Sequence, residues 1–150
     1  MAITHVPAAE PPVRPASPHP RPDGQDKYTI SEVAAHTGLS AHTLRWYERI
    51  GLMPHVDRTH TGVRRYSNRD LTWLDFVGRL RSTGMPVAEM VRYAELVREG
   101  EQTAQQRKDM LVAHREHVKT QLEELHGFLG VLDYKIDNYS EICAKTKDEG

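Results

Sequence analysis

The chain has 150 residues, 38% of them hydrophobic, and a formal net charge of −1, which suits one domain or a small domain with an extension. No apolar run approaches the roughly 18–20 residues of a membrane span, and no secretory leader is legible at the start, so a cytoplasmic location is expected. The single cysteine, Cys143, excludes an intramolecular disulfide and a multi-cysteine metal cage. The near-neutral total conceals an asymmetry: residues 1–27 sum to zero, 28–85 to +3 and 86–150 to −4. A basic front half points to a polyanionic partner there.

Residues 1–27 hold seven of the nine prolines and few large apolar groups, and are expected to be a disordered tail. In YTISEVAAHTGLSAHTLRWYERIGL, Thr29 and Glu32 form a capping box for a short helix. Ile30, Val33 and Ala34 give that helix one apolar face, and Gly38 ends it. Ser40 then caps a second helix of about ten residues. Two short helices joined by T-G-L-S predict a helix-turn-helix. Residues 53–67 predict a hairpin turning at Thr61-Gly62, where glycine takes the positive φ that such loops favour. A hairpin of two strands is marginal alone and must pack on the helices.

Ser67 and Asp70 open a third helix with Leu71, Leu74, Val77 and Leu80 on one face, joined by Trp73 and Phe76. Gly84 ends it, and Pro86 suits the first helical position of a fourth helix, which Gly100 closes. From Thr103 the pattern changes. Leu111, Val118, Leu125, Leu132 and Tyr139 recur every seven residues, interleaved with Leu122, Leu129 and Ile136, with Arg115 as the polar first member of that second set. This is a coiled-coil seam roughly 40 Å long. A second copy of the helix would cover the stripe and imply a homodimer; the alternative folds the helix back on residues 71–99. The boundaries expected are a tail at 1–27, a DNA-binding domain at 28–99, a dimerisation helix at 103–139 and a flexible tail at 140–150.

The second helix of a helix-turn-helix fits the major groove, so His42, Thr43, Arg45 and Arg49 are candidate contacts. Arg45 suits either a phosphate or a guanine edge. Trp46 and Tyr47 point about 100° apart on a helix, so one packs inside while the other leans on the DNA backbone. In the hairpin, alternation puts Arg64 and Tyr66 on one face and Val63 and Arg65 on the other. A basic-aromatic face on such a wing suits phosphate contact, and Arg64, Arg65 and Tyr66 are the candidates.

These runs together resemble the N-terminal domain of MerR-family transcriptional regulators. The family motif of Thr-Leu-Arg-aromatic-Tyr-Glu followed by Ile-Gly-Leu is met by Thr43 to Glu48 and Ile50 to Leu52, with Trp46 where tyrosine is more usual. The wing motif Gly-x-Arg-x-Tyr is met by Gly62, Arg64 and Tyr66, with Asp70 and Leu71 following. The resemblance spans residues 28–98 closely and extends in architecture to about residue 139. It implies a mainly α fold: a winged helix-turn-helix followed by a long antiparallel coiled-coil dimerisation helix, the seam carried by Leu111, Val118, Leu122, Leu125, Leu129, Leu132 and Ile136. It also implies a homodimer on double-stranded promoter DNA that bends and untwists the spacer between promoter elements for RNA polymerase.

The family's metal sensors place a cysteine near the start of the long helix and two more after it, and residues 102–110 contain none. One thiolate cannot form the site that soft metals need. The short C-terminus is similar to a subgroup tied to aldehyde or electrophile stress, yet Arg79 stands where that subgroup's cysteine is expected. Cys143 remains a candidate redox handle beside the reading as an ordinary exposed thiol. His114 and His117, three apart, have the spacing of a zinc pair but no evident third ligand. No metal, cofactor or effector is assigned, and no phosphate loop or nucleophile with a base suggests an enzyme. The alternatives are a protein-interaction adaptor and a non-specific architectural DNA binder.

Overall fold

The computed structural model describes residues 19–150. The order of elements is α1 (Ile30–Thr37), α2 (Ala41–Arg49), β1 (Asp57–Arg58), β2 (Arg64–Arg65), α3 (Asn68–Ser82), α4 (Val87–Glu99), a 3-10 turn (Glu101–Thr103) and α5 (Ala104–Asp148). The chain divides into two compact units, Met1–Leu80 and Arg81–Gly150. The architecture is the expected mainly helical one, with a winged helix-turn-helix and a long C-terminal helix.

In the first unit the local signals act as the chemistry of caps requires. Thr29 Oγ1 accepts from the Glu32 amide and Glu32 Oε1 accepts from the Thr29 amide, both at 3.2 Å. Gly38 ends α1 in the left-handed region at φ 76°, a conformation that costs glycine no Cβ clash. The Ser40 hydroxyl accepts from the Thr43 amide at 3.0 Å and starts α2. Val33, Leu44, Tyr47, Leu52, Met53, Tyr66, Leu71, Leu74 and Val77 are buried. Trp73 adds a polar tie, its indole N–H donating to the Leu52 carbonyl at 2.8 Å.

The wing is minimal. Asp57 faces Arg65 and Arg58 faces Arg64 in antiparallel register. The Thr59 amide donates to the Val63 carbonyl at 2.8 Å across a turn that holds Gly62 at φ 84°. Beyond β2, Tyr28 and Tyr66 exchange both backbone hydrogen bonds, at 2.8 and 3.0 Å.

The tail expected over residues 1–27 is corrected for its last part; residues 1–18 lie outside the described residues. From His19 onward the chain is tied down. Arg21 pairs with Glu32 and lies over the Tyr28 ring, 5.1 Å from its centroid, and the Asn68 amide donates to Asp26 Oδ2 at 2.8 Å. A segment poor in apolar groups orders here because polar groups on α1 and at the start of α3 bind it.

In the second unit Met85, Met90, Tyr93, Ala94 and Leu96 are buried. Pro86 is the cap residue before α4, one position ahead of the first helical position expected of it. Thr103 is also buried, and its hydroxyl donates to the Leu96 and Gly100 carbonyls where α4 gives way to α5. The expected boundary at residue 139 moves: α5 runs 45 residues to Asp148, roughly 67 Å, so 140–148 is helical rather than a tail. Nothing between Tyr139 and Asp148 breaks a helix, since those residues include neither proline nor glycine.

Two carboxylates tie the N-terminal segment and α1, and both titrate below their ordinary values. Asp26 is lowered chiefly by the Asn68 backbone N–H, and Glu32 chiefly by the Thr29 backbone N–H with Arg21 adding. A depressed folded-state pKa gives stability above the unfolded value that is lost as pH falls through the folded one. Thermal unfolding should therefore be insensitive to these groups near neutrality, and the midpoint should drop below about pH 4. Asp26→Asn should make that acid drop shallower, and an unchanged acid limb would contradict the assignment.

Candidate nucleic-acid interface

Helix α2 presents a sharply divided surface. Leu44 and Tyr47 are buried, while His42, Arg45 and Arg49 are exposed and Trp46 is half-buried. Positions 42, 45, 46 and 49 follow the i, i+3, i+4, i+7 spacing and share one outward face. Arg45 and Arg49 form no ion pair among the described residues. Thr43 is half-buried, and its hydroxyl accepts from the Ser40 hydroxyl at 2.9 Å. The two aromatics separate as adjacent helical positions must. Tyr47 is 3% exposed and Trp46 covers it, ring centroids 5.6 Å apart.

The wing meets α2 through Glu48. Its two carboxylate oxygens receive Arg58 and Arg64, one each. The alternation expected of the wing holds, since Arg64 and Tyr66 share a face, but that face turns inward. Arg64 is half-buried against Glu48 and Tyr66 is 1% exposed, whereas Val63 is 51% exposed. In the single chain Tyr47 and Tyr66 thus lie in the core, and Arg64 is held by Glu48. Arg65, half-buried on the other side, keeps an unpaired guanidinium among the described residues. The physical reason is burial. A hairpin of two-residue strands has no apolar face of its own, so its one large ring is drawn inside.

Burial pushes the Tyr66 hydroxyl up, with Glu48 adding to it, and this oxygen is buried with no hydrogen-bond partner among the described residues. It is the cost of placing the ring where the wing needs an anchor. Sequence reasoning missed Glu48, Arg58 and Asn68. The signal for Glu48 was present, an acid on a helix otherwise suited to a polyanion; a buried asparagine carries no sequence signal of its own.

On the long helix, His114 and His117 stand together with ring centroids 6.0 Å apart, and His114 Nε2 meets Thr83 Oγ1 at 2.7 Å. Among the described residues no group of three metal-binding side chains forms. Cys143 is exposed. No described helix is long and apolar enough to cross a membrane.

A helix-turn-helix backed by a wing and followed by a long helix is the architecture of a winged helix-turn-helix protein. The comparisons agree with that class. The MerR HTH family regulatory protein profile matches residues 28–96, and the MerR DNA-binding profile matches 71–133. The chain is 37% identical over 117 residues to an HTH-type transcriptional regulator of Haemophilus influenzae, covering 78% of this chain and 87% of that one. It is 38% identical over 89 residues to the regulator AdhR of Bacillus subtilis, covering 59% and 64%. Among solved structures it is similar to HiNmlR, described as a MerR family regulator lacking the sensor domain, bound to promoter DNA. The TM-score there is 0.72 at 36% identity, over 79% of this chain and 94% of that one. A MerR-family regulator of Listeria monocytogenes matches with TM-score 0.75 at 36% identity, over 81% and 92%. The chain belongs to the MerR family and is a DNA-binding transcriptional regulator.

Two substitutions test this geometry. Glu48→Gln should weaken both wing ion pairs and lower stability by about 1–2 kcal/mol, read by denaturant unfolding. Tyr66→Phe removes an unsatisfied buried hydroxyl and should leave stability unchanged or raise it by about 1 kcal/mol. A large loss from the second would mean that the hydroxyl has a partner in solution.

Proposed function

We propose that the protein acts as a homodimer at promoter DNA, with α2 in the major groove and the wing beside it. The outward face of His42, Arg45, Trp46 and Arg49 carries this reading, because the charge it presents is not spent on any acid of the described chain. His42 and Arg45 lie toward the start of α2 and reach base edges. Arg49 and the wing's Arg65 suit phosphates, and Trp46 leans on the sugar-phosphate backbone. Thr43 supports the helix start through Ser40. HiNmlR, to which this chain is similar, is bound to promoter DNA in its crystal structure, which supports the same target here.

The dimer rests on α5. Leu122, Leu125, Leu129 and Ile136 are 51–61% exposed in the single chain, and Leu132 and Tyr139 are exposed with them. Leu111 and Val118 are half-buried. An antiparallel pairing with a second α5 removes this stripe from water, at roughly 25 cal/mol per Å² of apolar surface covered. Residues 28–99 then form the DNA-binding part and α5 the dimerising part. Two such parts at a fixed separation bend and untwist the DNA between half-sites, the action expected where RNA polymerase must read both promoter elements. No effector or cofactor is part of this reading.

Footprinting on the promoter of its own gene tests it. A two-fold symmetric protected site is expected, with Arg45→Ala weakening binding by about 1–3 kcal/mol. The logarithm of the binding constant should fall steeply with the logarithm of salt, by about 0.9 per phosphate neutralised. A flat salt dependence would favour the protein adaptor, and equal affinity for random duplex the architectural binder. Leu125→Asp with Leu129→Asp should shift the protein from dimer to monomer in sedimentation and abolish the symmetric footprint.

A further inference from the structure

The start of α3 is held by a polar network that the reading of the interface does not use. Asn68, the first residue of α3, is 4% exposed. Its backbone N–H donates to Asp26 Oδ2 at 2.8 Å, an anion supplied to a helix N-terminus from 42 residues upstream. Its side-chain amide donates to Asp23 Oδ1 at 2.7 Å and to the Arg21 carbonyl at 2.9 Å, and its Oδ1 accepts from the Tyr28 hydroxyl at 2.7 Å. The Tyr28 hydroxyl in turn accepts from the Arg21 amide at 3.0 Å. Arg21 is anchored further, its guanidinium donating to the Lys27 carbonyl at 2.7 Å and pairing with Glu32 of α1. The Gly24 amide donates to Asp26 Oδ1 at 2.9 Å, so the carboxylate is itself oriented.

This network lies at the hinge of the wing. Asn68 follows β2 by three residues, and Tyr66 between them is locked to Tyr28 by both backbone hydrogen bonds. The wing's two strands pair over only two residues, which is too little to fix a hairpin by itself. Its base is set by what holds residues 66–68, and residues 21–28 do that from the far end of the unit's sequence. We propose that residues 19–27 are a strap that fixes the wing hinge, and that Asp23 and Asp26 are positioning residues for DNA binding acting through Asn68. The proposal rests on the wing's contact with DNA through Arg65.

The strap holds by polar bonds, with no large apolar group of its own between His19 and Lys27. It therefore loosens when those bonds are removed, without emptying the core of Leu44, Leu52 and Leu74. Asp23→Asn with Asp26→Asn in the full chain keeps the volume and removes both charges. Hydrogen exchange should then accelerate at residues 57–67 and stay unchanged across α2 and α4. Operator affinity should fall about three- to tenfold, and the salt slope should become shallower by about one as the Arg65 contact is lost. A general loss of folded protein would lower the active fraction without changing that slope.

Asp26→Glu, which retains the charge, should restore most of the binding in an Asp23 background. Unchanged exchange at 57–67 would overturn the strap. Faster exchange with unchanged affinity and slope, while Arg65→Ala still weakens binding, would overturn the positioning role and leave the wing reading standing. If Arg65→Ala itself changes neither affinity nor slope, the wing reading fails and the claim on DNA falls with it.

Discussion

One carboxylate joins the wing to the second helix of the helix-turn-helix. Glu48 stands on the flank of α2 beside the buried Tyr47 and takes Arg58 and Arg64, one on each oxygen. Its side chain is 20% exposed and Arg64's is 25%, so the Arg64 pair is partly desolvated and less screened than a surface ion pair. The arrangement divides the basic charge of the front half. Two arginines hold the wing and share the one negative charge of Glu48. Arg45 and Arg49 on α2 and Arg65 on β2 form no ion pair among the described residues, and in the proposed complex they are the ones that meet DNA. A net charge of +3 over residues 28–85 is thus unevenly placed, because Glu48 lies against the two wing arginines and not against Arg45 or Arg49.

Legibility in the sequence followed the range of the interaction. Thr29 with Glu32, Ser40 with Thr43 and Ser67 with Asp70 act within three residues, and the structure has each bond. Burial of Leu44, Leu71, Leu74 and Val77 follows from helical period alone. The wing exposed the limit of alternation. It separated Arg64 and Tyr66 from Val63 and Arg65 correctly, yet a period of two cannot say which face is inside. Basic residues suggested the outer face, but burial of the Tyr66 ring turns that face inward, where Arg64 meets Glu48 sixteen residues away. The strap was missed for the same reason in stronger form. Asp23 and Asp26 meet Asn68 across 45 and 42 residues, and a composition rich in proline and poor in apolar groups reads as a tail whenever such partners are unseen.

The long helix raises a different constraint. None of its 45 residues is buried in the single chain, so its persistence cannot come from packing within that chain beyond its first turns. Gly127 and Gly130 fall in its second half, each costing about 1 kcal/mol against alanine in a helix. They sit among Leu125, Phe128, Leu129, Val131 and Leu132, all exposed. Helix and pairing are then coupled: the partner stripe that covers Leu125 and Leu129 in the proposed dimer also offsets the glycines that would otherwise let the helix fray. Stability of such a helix depends on protomer concentration. In the proposed dimer, a fall in protomer concentration therefore loosens the pairing and the glycine-bearing half of α5 together.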